Sequence, residues 1–456
     1  MEFPDHIFKA YDIRGLVEGE LSVELAYRLG RSFVIFLKNK DFDFNGRQIV
    51  VGRDMRDSSL GFQRELIRGI NDEGVDVVDV GLVSTPVFNF ASAHYKEHAG
   101  GIMVTASHNP AEYNGFKITF EDGLPLGGAT GMDDIKDMVQ KGEFDESDYK
   151  GQLMKKDVLS DYIEKIFSLV DKEEIKPMKL VVDGGNGMGG VVLPKVIEKL
   201  PIEVEYLYME PDGGFPNHEA NPLKLETLRD LQNKVKEFGA DFGFALDGDA
   251  DRIGLVDENG EVVGASFVGA LVGLEILKKK GSGKMYYDLR SSMVIPEVWK
   301  ENGGEPEMCM VGHALIKKLM KENKAIFASE LSQHLYYGDL YNLESSDLSL
   351  LLVLQMLSRE GKTLSTMVEP LKKYYHSGEI NFKVEDKDGV IAKLEETYKS
   401  EAQEISHLDG LYIKFDWGWF SVRKSNTEPV LRLNLEAKEA DVMRQKKEEI
   451  EAIITS

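Results

Sequence analysis

Short apolar runs alternate along this chain with longer segments whose apolar residues recur at three- and four-residue spacing, and the alternation is written out three times. The short runs read as strands buried on both faces of a sheet, the longer segments as helices with one apolar face. The first block predicts strands over 48–52, 75–80 and 101–106, with helices near 61–73 and 87–98. The second predicts strands over 179–183, 202–208 and 241–246, with helices near 191–200 and 225–238. The third predicts strands over 285–289, 306–311 and 325–328, with helices near 294–301 and 313–322. Such alternation argues for layered α/β domains.

Each block ends in the same way, because the strand after its second helix runs into a polar loop. These loops are Ser107-His108-Asn109-Pro110, Asp247-Gly248-Asp249-Ala250-Asp251-Arg252 and Glu330-Leu331-Ser332-Gln333-His334. Loops at the carboxyl ends of sheet strands are where α/β folds place chemistry, so three at one topological position are candidates to share a cleft. From about residue 371 the pattern changes. A strand over 418–423, a polar loop over 424–429, a strand over 430–436 and a charged helix over 440–454 predict a smaller α+β domain. The polar stretch 142–151 reads as a linker, and Glu258-Asn259-Gly260 as a hairpin-like turn.

A chain of 456 residues provides for about three or four domains. Its net charge of −24 repels phosphate backbones and anionic lipid, which argues against nucleic-acid and membrane partners. A small anionic substrate would need a local basic site. The single cysteine, Cys309, can form no intrachain disulfide, which fits a reducing compartment. Its apolar surroundings, Glu307-Met308-Cys309-Met310-Val311, mark it as buried filler rather than a nucleophile. The opening Met-Glu-Phe-Pro-Asp-His lacks the basic and apolar regions of a signal peptide. The most apolar stretch, 262–277, contains Glu275 and several glycines and reads as a core helix rather than a membrane span. A cytoplasmic protein is expected.

The aspartate loop carries the most specific chemistry. Alternate residues of an extended segment share a side, so Asp247, Asp249 and Asp251 can face one point. Three clustered carboxylates repel unless a cation lies among them, and hard oxygen ligands suit Mg²⁺. A calcium-binding EF-hand is the competing reading, since Glu258 falls at its twelfth position. Arg252 replaces the glycine that such a loop needs, and the flanks read as strands. Ser107 follows an apolar strand directly and is either a nucleophile or a cap; His108 is adjacent, but neighbouring side chains of an extended chain point apart, and no Gly-x-Ser-x-Gly elbow supports a hydrolase. Gly185-x-Gly187-x-x-Gly190 formally matches a dinucleotide fingerprint, but an oxidoreductase would leave the aspartates unexplained. A turn that lets backbone pack closely is the better reading. In a chain this acidic, the cations and hydroxyls of Arg423-Lys424-Ser425-Asn426-Thr427-Glu428-Pro429 point to a phosphate monoester.

In combination these motifs resemble the α-D-phosphohexomutase family. The resemblance spans nearly the whole chain. It runs from Lys9-Ala10-Tyr11-Asp12-Ile13-Arg14-Gly15 through Thr105-Ala106-Ser107-His108-Asn109-Pro110 and Asn114-Gly115-Phe116-Lys117-Ile118. It continues through the aspartate loop, Gly312-His313, Glu330-x-Ser332-x-His334 and Arg423-x-Ser425-Asn426-Thr427-x-Pro429. Within the family, the chain is similar to the bacterial and archaeal phosphomannomutase/phosphoglucomutase group.

The resemblance implies three topologically similar α/β/α domains with mixed sheets and a smaller C-terminal α+β domain, around a central cleft. The boundaries expected are 1–152 with the phosphoserine loop, 153–256 with the metal loop, 257–367 with the sugar loop and 368–456 with the phosphate-binding loop. It implies Ser107 as the phosphoserine, with Mg²⁺ bound by its phosphate and by Asp247, Asp249 and Asp251. Arg14, Lys117, Arg252 and His108 would act at the transferring group. Tyr11, Arg290, His313, Glu330, Ser332 and His334 would bind the sugar, while Arg423, Ser425, Asn426 and Thr427 hold the non-reacting phosphate. His108, Lys117, Arg290 and His313 are all candidates for the general base. The implied activity interconverts the 6- and 1-phosphates of mannose or glucose through a hexose 1,6-bisphosphate, in a monomer or homodimer. A phosphoglucosamine mutase and a non-catalytic sugar-phosphate binder are the alternatives. Three positions depart from the family pattern: Ser329 and Gln333 replace glycines of the sugar loop, and Arg290 stands where this group usually has lysine. Ser345-Ser346-Asp347 also departs from the usual acidic-glycine pattern.

Overall fold

Strands with no polar face must lie inside a sheet covered on both sides, and these residues do so. In the computed structural model, which describes residues 3–425 and 430–456, the first sheet contains β1 (Ile13–Leu16), β2 (Gln48–Arg53), β3 (Val77–Leu82), β4 (His98–Val104), β5 (Tyr113–Phe120) and β6 (Leu153–Lys155). Their order is β1-β5-β4-β2-β3-β6. β4, β2, β3 and β6 are parallel, whereas β5 runs against β4 and β1 against β5. All seven residues of β4 are buried.

The second sheet repeats this plan with β7 (Met178–Asp183), β8 (Ile202–Leu207), β9 (Phe242–Leu246), β10 (Ile253–Asp257) and β11 (Val262–Val263), in the order β11-β10-β9-β7-β8. β7 is parallel to β8 and β9, and β10 is antiparallel to β9. In the third, β12 (Gly283–Asp288) lies between β13 (Gly304–Cys309) and β14 (Phe327–Ser329), parallel to both, and farther along the chain β15 (Leu335–Tyr337) pairs antiparallel with β16 (Leu343–Glu344). Each block therefore puts its first strand in the centre, its second on one side and its third on the other. The expected Glu258-Asn259-Gly260 turn joins antiparallel β10 and β11, with Gly260 at φ +78°. The apolar stretch from 262 divides into β11 and the core helix Ala265–Lys280. Among the described residues, no helix is long and apolar enough to cross a membrane.

Two long helices had no counterpart in the sequence-derived blocks. Val23–Asn39 starts at Ser22, whose Oγ accepts the Leu25 N–H, and buries Leu25, Leu29, Phe33 and Phe36. Ser346–Glu360 is buried on nearly every side. The C-terminal sheet is wholly antiparallel. It comprises β17 (Tyr375–His376), β18 (Ile380–Phe382), β19 (Glu404–Ser406), β20 (Leu411–Lys414), β21 (Gly418–Lys424) and β22 (Leu431–Ala437). Leu394 and Tyr398 of helix Lys387–Tyr398, and Ile450 and Ile454 of helix Ala440–Thr455, pack on it. The chain gathers into two compact units. One is Met1–Val263 with His334–Leu364, the other Gly264–Gln333 with Ser365–Ser456.

Within the first unit, Asp347 of helix Ser346–Glu360 is buried, and the Tyr162 hydroxyl donates to its Oδ2 at 2.8 Å. Burial pushes its carboxyl up to about 6 from an ordinary 3.8. The folded chain thus keeps a proton that the unfolded chain has lost. Stability falls as pH rises through that window, and the penalty is complete above pH 6. Asp347→Asn is expected to stabilise this unit by roughly 3 kcal/mol at pH 7.5 and only about 1 kcal/mol at pH 4.5. Thermal denaturation of both proteins at the two pH values checks this, and a gain independent of pH would contradict it.

Candidate active site

Ser107 leaves β4 in a left-handed conformation, at φ +52°. This overturns the expectation that Ser107 and His108 point apart, which assumed an extended backbone. The turn brings His108 Nδ1 to 3.2 Å from Ser107 Oγ. Ser107 Oγ also donates to Asp247 Oδ2 at 3.0 Å. Burial, with Arg252, Arg14 and Lys117 nearby, holds the His108 pKa well below its ordinary value. The imidazole beside Ser107 is therefore neutral at physiological pH.

The aspartates converge by a turn rather than along an extended strand. Ala250 is left-handed at φ +60°, and its N–H donates to the Asp247 carbonyl. Asp247 Oδ1 accepts the N–H groups of Asp251 and Arg252, so the loop wraps around that carboxylate. Asp249 Oδ2 accepts from Thr85 Oγ1 at 2.5 Å and from Lys117 Nζ at 2.6 Å. Lys117 also donates to Asp251 Oδ2 at 2.7 Å. His334 Nε2 lies 3.2 Å from Asp251 Oδ1 and 3.3 Å from Arg252 Nε. Arg14 joins the set through Asn109 Oδ1, at 2.8 Å, and Asp12, at 2.6 Å. Tyr11 lies beside Gly127.

Close backbone contact makes this assembly feasible. A Cβ on Gly248 would fall 2.5 Å from the Ser107 carbonyl, and one on Gly187 would fall 2.7 Å from the Gly248 carbonyl. The glycine-rich turn therefore serves backbone packing, as expected, and supports the aspartate loop from below.

The three carboxylates are suited to a hard divalent cation. Among the described residues, they form the one group of three such ligands whose donor atoms all lie within 4.8 Å of one another. All three are buried, and Asp249 Oδ1 has no hydrogen-bond partner among the described residues. Burial and the charges of Asp251 and Asp249 raise the Asp247 pKa well above the ordinary carboxylate range. A cation at this point would relieve that repulsion.

The second unit holds the other candidates. Asp288, at the end of β12, accepts from Arg290 Nη2 at 2.8 Å and Nε at 3.2 Å, and also from the Leu331 N–H. Arg290 Nη1 reaches Glu379 at 3.4 Å. Arg423 and Arg432 flank the same carboxylate at 3.6 and 3.4 Å. Burial alone would raise the Glu379 pKa, but the three arginines outweigh it and hold it below the ordinary range. Glu330 Oε1 accepts the Gly312 N–H, and His313 begins helix His313–Asn323. Ser332 lies in the turn after β14. Ser425 follows β21, with its N–H on the Val430 carbonyl, while Asn426 and Thr427 lie outside the described residues.

Comparison with known proteins matches this layout domain by domain. Residues 5–146, 160–260 and 265–374 match the phosphoglucomutase/phosphomannomutase α/β/α domains I, II and III. Residues 379–453 match the C-terminal domain of that family. The chain belongs to the phosphoglucomutase/phosphomannomutase family. It is 38% identical over 457 residues to a phosphomannomutase of Vibrio cholerae, covering 98% of both chains. It is 38% identical over 454 residues to a phosphomannomutase of Methanocaldococcus jannaschii, covering 98% of this chain and 97% of the other. A crystal structure of a phosphoglucomutase/phosphomannomutase family protein from Burkholderia thailandensis superposes with a TM-score of 0.91 at 31% identity, over 99% of this chain and 97% of that one.

Against the family pattern, Gln333 takes the left-handed conformation, at φ +67°, that a glycine adopts without strain. The loop thus keeps a glycine-like backbone despite its side chain. Sequence reasoning missed Thr85, Arg56 and Ser346. The Ser346 hydroxyl donates to the Ala250 carbonyl at 2.5 Å, bracing the aspartate turn. A usable signal existed for Arg56, because Arg53-Asp54-Met55-Arg56-Asp57 is a charged run directly after the central strand of the first sheet.

Removing one carboxylate should separate repulsion from metal binding. Asp247→Asn is expected to raise the Tm of metal-free protein and to abolish the further stabilisation by Mg²⁺, which in the unaltered chain amounts to about 2.7 kcal/mol at a hundred times its Kd. Thermal shifts with and without a chelator decide it. An equal Mg²⁺ response in both proteins would remove Asp247 from the metal site.

Proposed function

We propose that the chain interconverts the 6- and 1-phosphates of mannose or glucose, carrying the transferred phosphoryl group on Ser107. The observation that bears most weight is Ser107 Oγ, 3.0 Å from a buried carboxylate and 3.2 Å from a neutral imidazole. Membership of the family gives the reaction class. Asp247, Asp249, Asp251 and an oxygen on Ser107 would hold Mg²⁺, which when bound supplies positive charge to the phosphoryl oxygens. Arg14, Lys117 and Arg252 add fixed cations around the same group, so that little reorganisation accompanies transfer.

The phosphoserine gives its group to the free hydroxyl of a hexose phosphate. The resulting hexose 1,6-bisphosphate then turns over, and its other phosphate returns to Ser107. In-line displacement puts the incoming hydroxyl on the far side of phosphorus from Ser107 Oγ. His108 lies at the serine end, where its neutral imidazole is placed to accept the Ser107 hydroxyl proton when the phosphoryl group returns to Oγ. Another group must take the proton of the sugar hydroxyl. Arg423 and Ser425, with Asn426 and Thr427, are proposed to hold the non-reacting phosphate, and Glu330, Ser332 and His313 to read the sugar. A single cysteine, which can form no intrachain disulfide, supports a cytoplasmic location.

An assay with Mg²⁺ and trace glucose 1,6-bisphosphate on mannose, glucose and glucosamine 1-phosphates tests the reading. Turnover is expected on mannose or glucose 1-phosphate. Preference for glucosamine 1-phosphate would favour the phosphoglucosamine reading, and no turnover on any of the three would favour a binding protein. Ser107→Ala is expected to lose at least about 1,000-fold in kcat with an unchanged circular dichroism spectrum. Retained turnover would move the phosphoryl carrier elsewhere.

A further inference from the structure

We propose that Arg56 is a positioning residue that fixes Ser107 for phosphoryl transfer by gathering the carbonyls of the serine loop onto one buried guanidinium. The proposal rests on the reading of Ser107 as phosphoryl carrier. A guanidinium has five N–H donors, and in Arg56 each has its own acceptor. Nη1 donates to the carbonyls of Pro110 at 2.7 Å and Tyr113 at 2.8 Å. Nη2 donates to those of Ser107 at 3.0 Å and Asn109 at 2.5 Å. Nε donates to Asp54 Oδ2 at 3.2 Å. No donor is left for a phosphate. Although Arg56 adjoins the reacting serine, it does not act as a phosphate ligand like the cations of the site.

Its task follows from what it holds. Four carbonyls of one short loop point inward at a single point, where their dipoles repel one another unless a cation lies between them. Ser107 is also held left-handed, at φ +52°, a conformation unfavourable for a residue with a Cβ. Without the guanidinium, the loop is free to relax toward extended backbone, which would carry Oγ away from Asp247 and His108.

The clamp is itself anchored. Asp54 is fully buried and accepts from the Arg56 N–H at 3.1 Å and from Ser59 Oγ at 2.5 Å, besides Nε. The Phe215 ring, from the second block, covers the guanidinium with its centroid 5.1 Å from Cζ. Only 2% of Arg56 is exposed, so water cannot replace the clamp. Lysine cannot either, because an ammonium has three donors and no planar fork.

The test follows phosphorylation of Ser107 by labelled glucose 1,6-bisphosphate in the presence of Mg²⁺. In the unaltered chain, one phosphoryl group per Ser107 is expected; failure there would sink the carrier reading without bearing on Arg56. In Arg56→Lys the labelling rate should fall about 100-fold, as a displacement of about 1 Å can cause. The half-saturating bisphosphate concentration should stay within about threefold of the original, since Arg56 touches no ligand. Amide exchange should quicken over 106–109 but not in β4. Guanidinium ion should partly restore the rate in Arg56→Ala. Labelling within about threefold of the original rate in folded Arg56→Lys would overturn the proposal, and so would a loss confined to half-saturation. Should Arg56→Lys fail to fold, Asp54→Asn keeps the guanidinium but loosens its anchor. It should slow labelling about tenfold, and an unchanged rate there would equally overturn the proposal.

Discussion

Three carboxylates out of contact with water, with donor atoms within 4.8 Å of one another, cannot all keep their charge unless positive charge is brought to them. Much of the first unit is arranged around that requirement. Lys117 reaches Asp249 and Asp251 from β5, whose antiparallel return along β4 places it over the loop. Thr85 reaches Asp249 from the start of the helix Thr85–His94 in the first block, and Ser346 braces the turn from a helix that follows the third. The loop belongs to the second block, but its charge and shape are set by residues from outside it. The repulsion that remains on Asp247 is what the divalent cation proposed for this site would relieve.

The same economy governs the serine loop. Ser107 and the aspartates occupy equivalent ends, after β4 and β9, of two sheets with the same plan. Equivalent positions in separate domains meet only if the backbones approach closely. Gly248 and Gly187 permit this, because a side chain on either would strike a carbonyl at under 3 Å. Arg56 then closes the serine loop from beneath, drawing on the end of β2, the neighbouring central strand. The ends of the central strands carry the supports, and the ends of the third strands carry the proposed chemistry.

That division explains what could be read from the sequence. The blocks were legible because buried parallel strands are written as unbroken apolar runs, and the helix Val294–Glu301 ends where its periodicity ends. The three chemical loops were legible because polar residues abruptly follow such runs. The helix Ser346–Glu360 was not, since it is buried almost all round and lacks the polar stripe that reveals a helix. The pairing of Ser107 with His108 was misread for a related reason. Sequence spacing predicts side-chain direction only if the backbone conformation is known, and a left-handed serine reverses the expectation. Thr85 was invisible because it acts across 164 positions of sequence to Asp249, and the charged run around Arg56 marks a polar turn without showing that Arg56 reaches the Ser107 carbonyl 51 positions away.

The position of Arg290 shows how a departure from the family can leave charge unchanged and still alter chemistry. A lysine there would offer one mobile point charge. Arg290 instead lays a rigid fork on Asp288, with Nη2 on one oxygen and Nε on the other, and turns Nη1 toward Glu379. Asp288 in turn fixes the backbone of Leu331, inside the loop proposed to read the sugar. Arg290 thus links the end of β12, the loop after β14 and the acidic residue shared by Arg423 and Arg432. Because that guanidinium stays charged and is largely engaged, it is poorly suited to exchange a proton with substrate. Among the four candidates for the base, Arg290 is therefore one that the chemistry of its own contacts removes, as Lys117, held protonated by Asp249 and Asp251, is another.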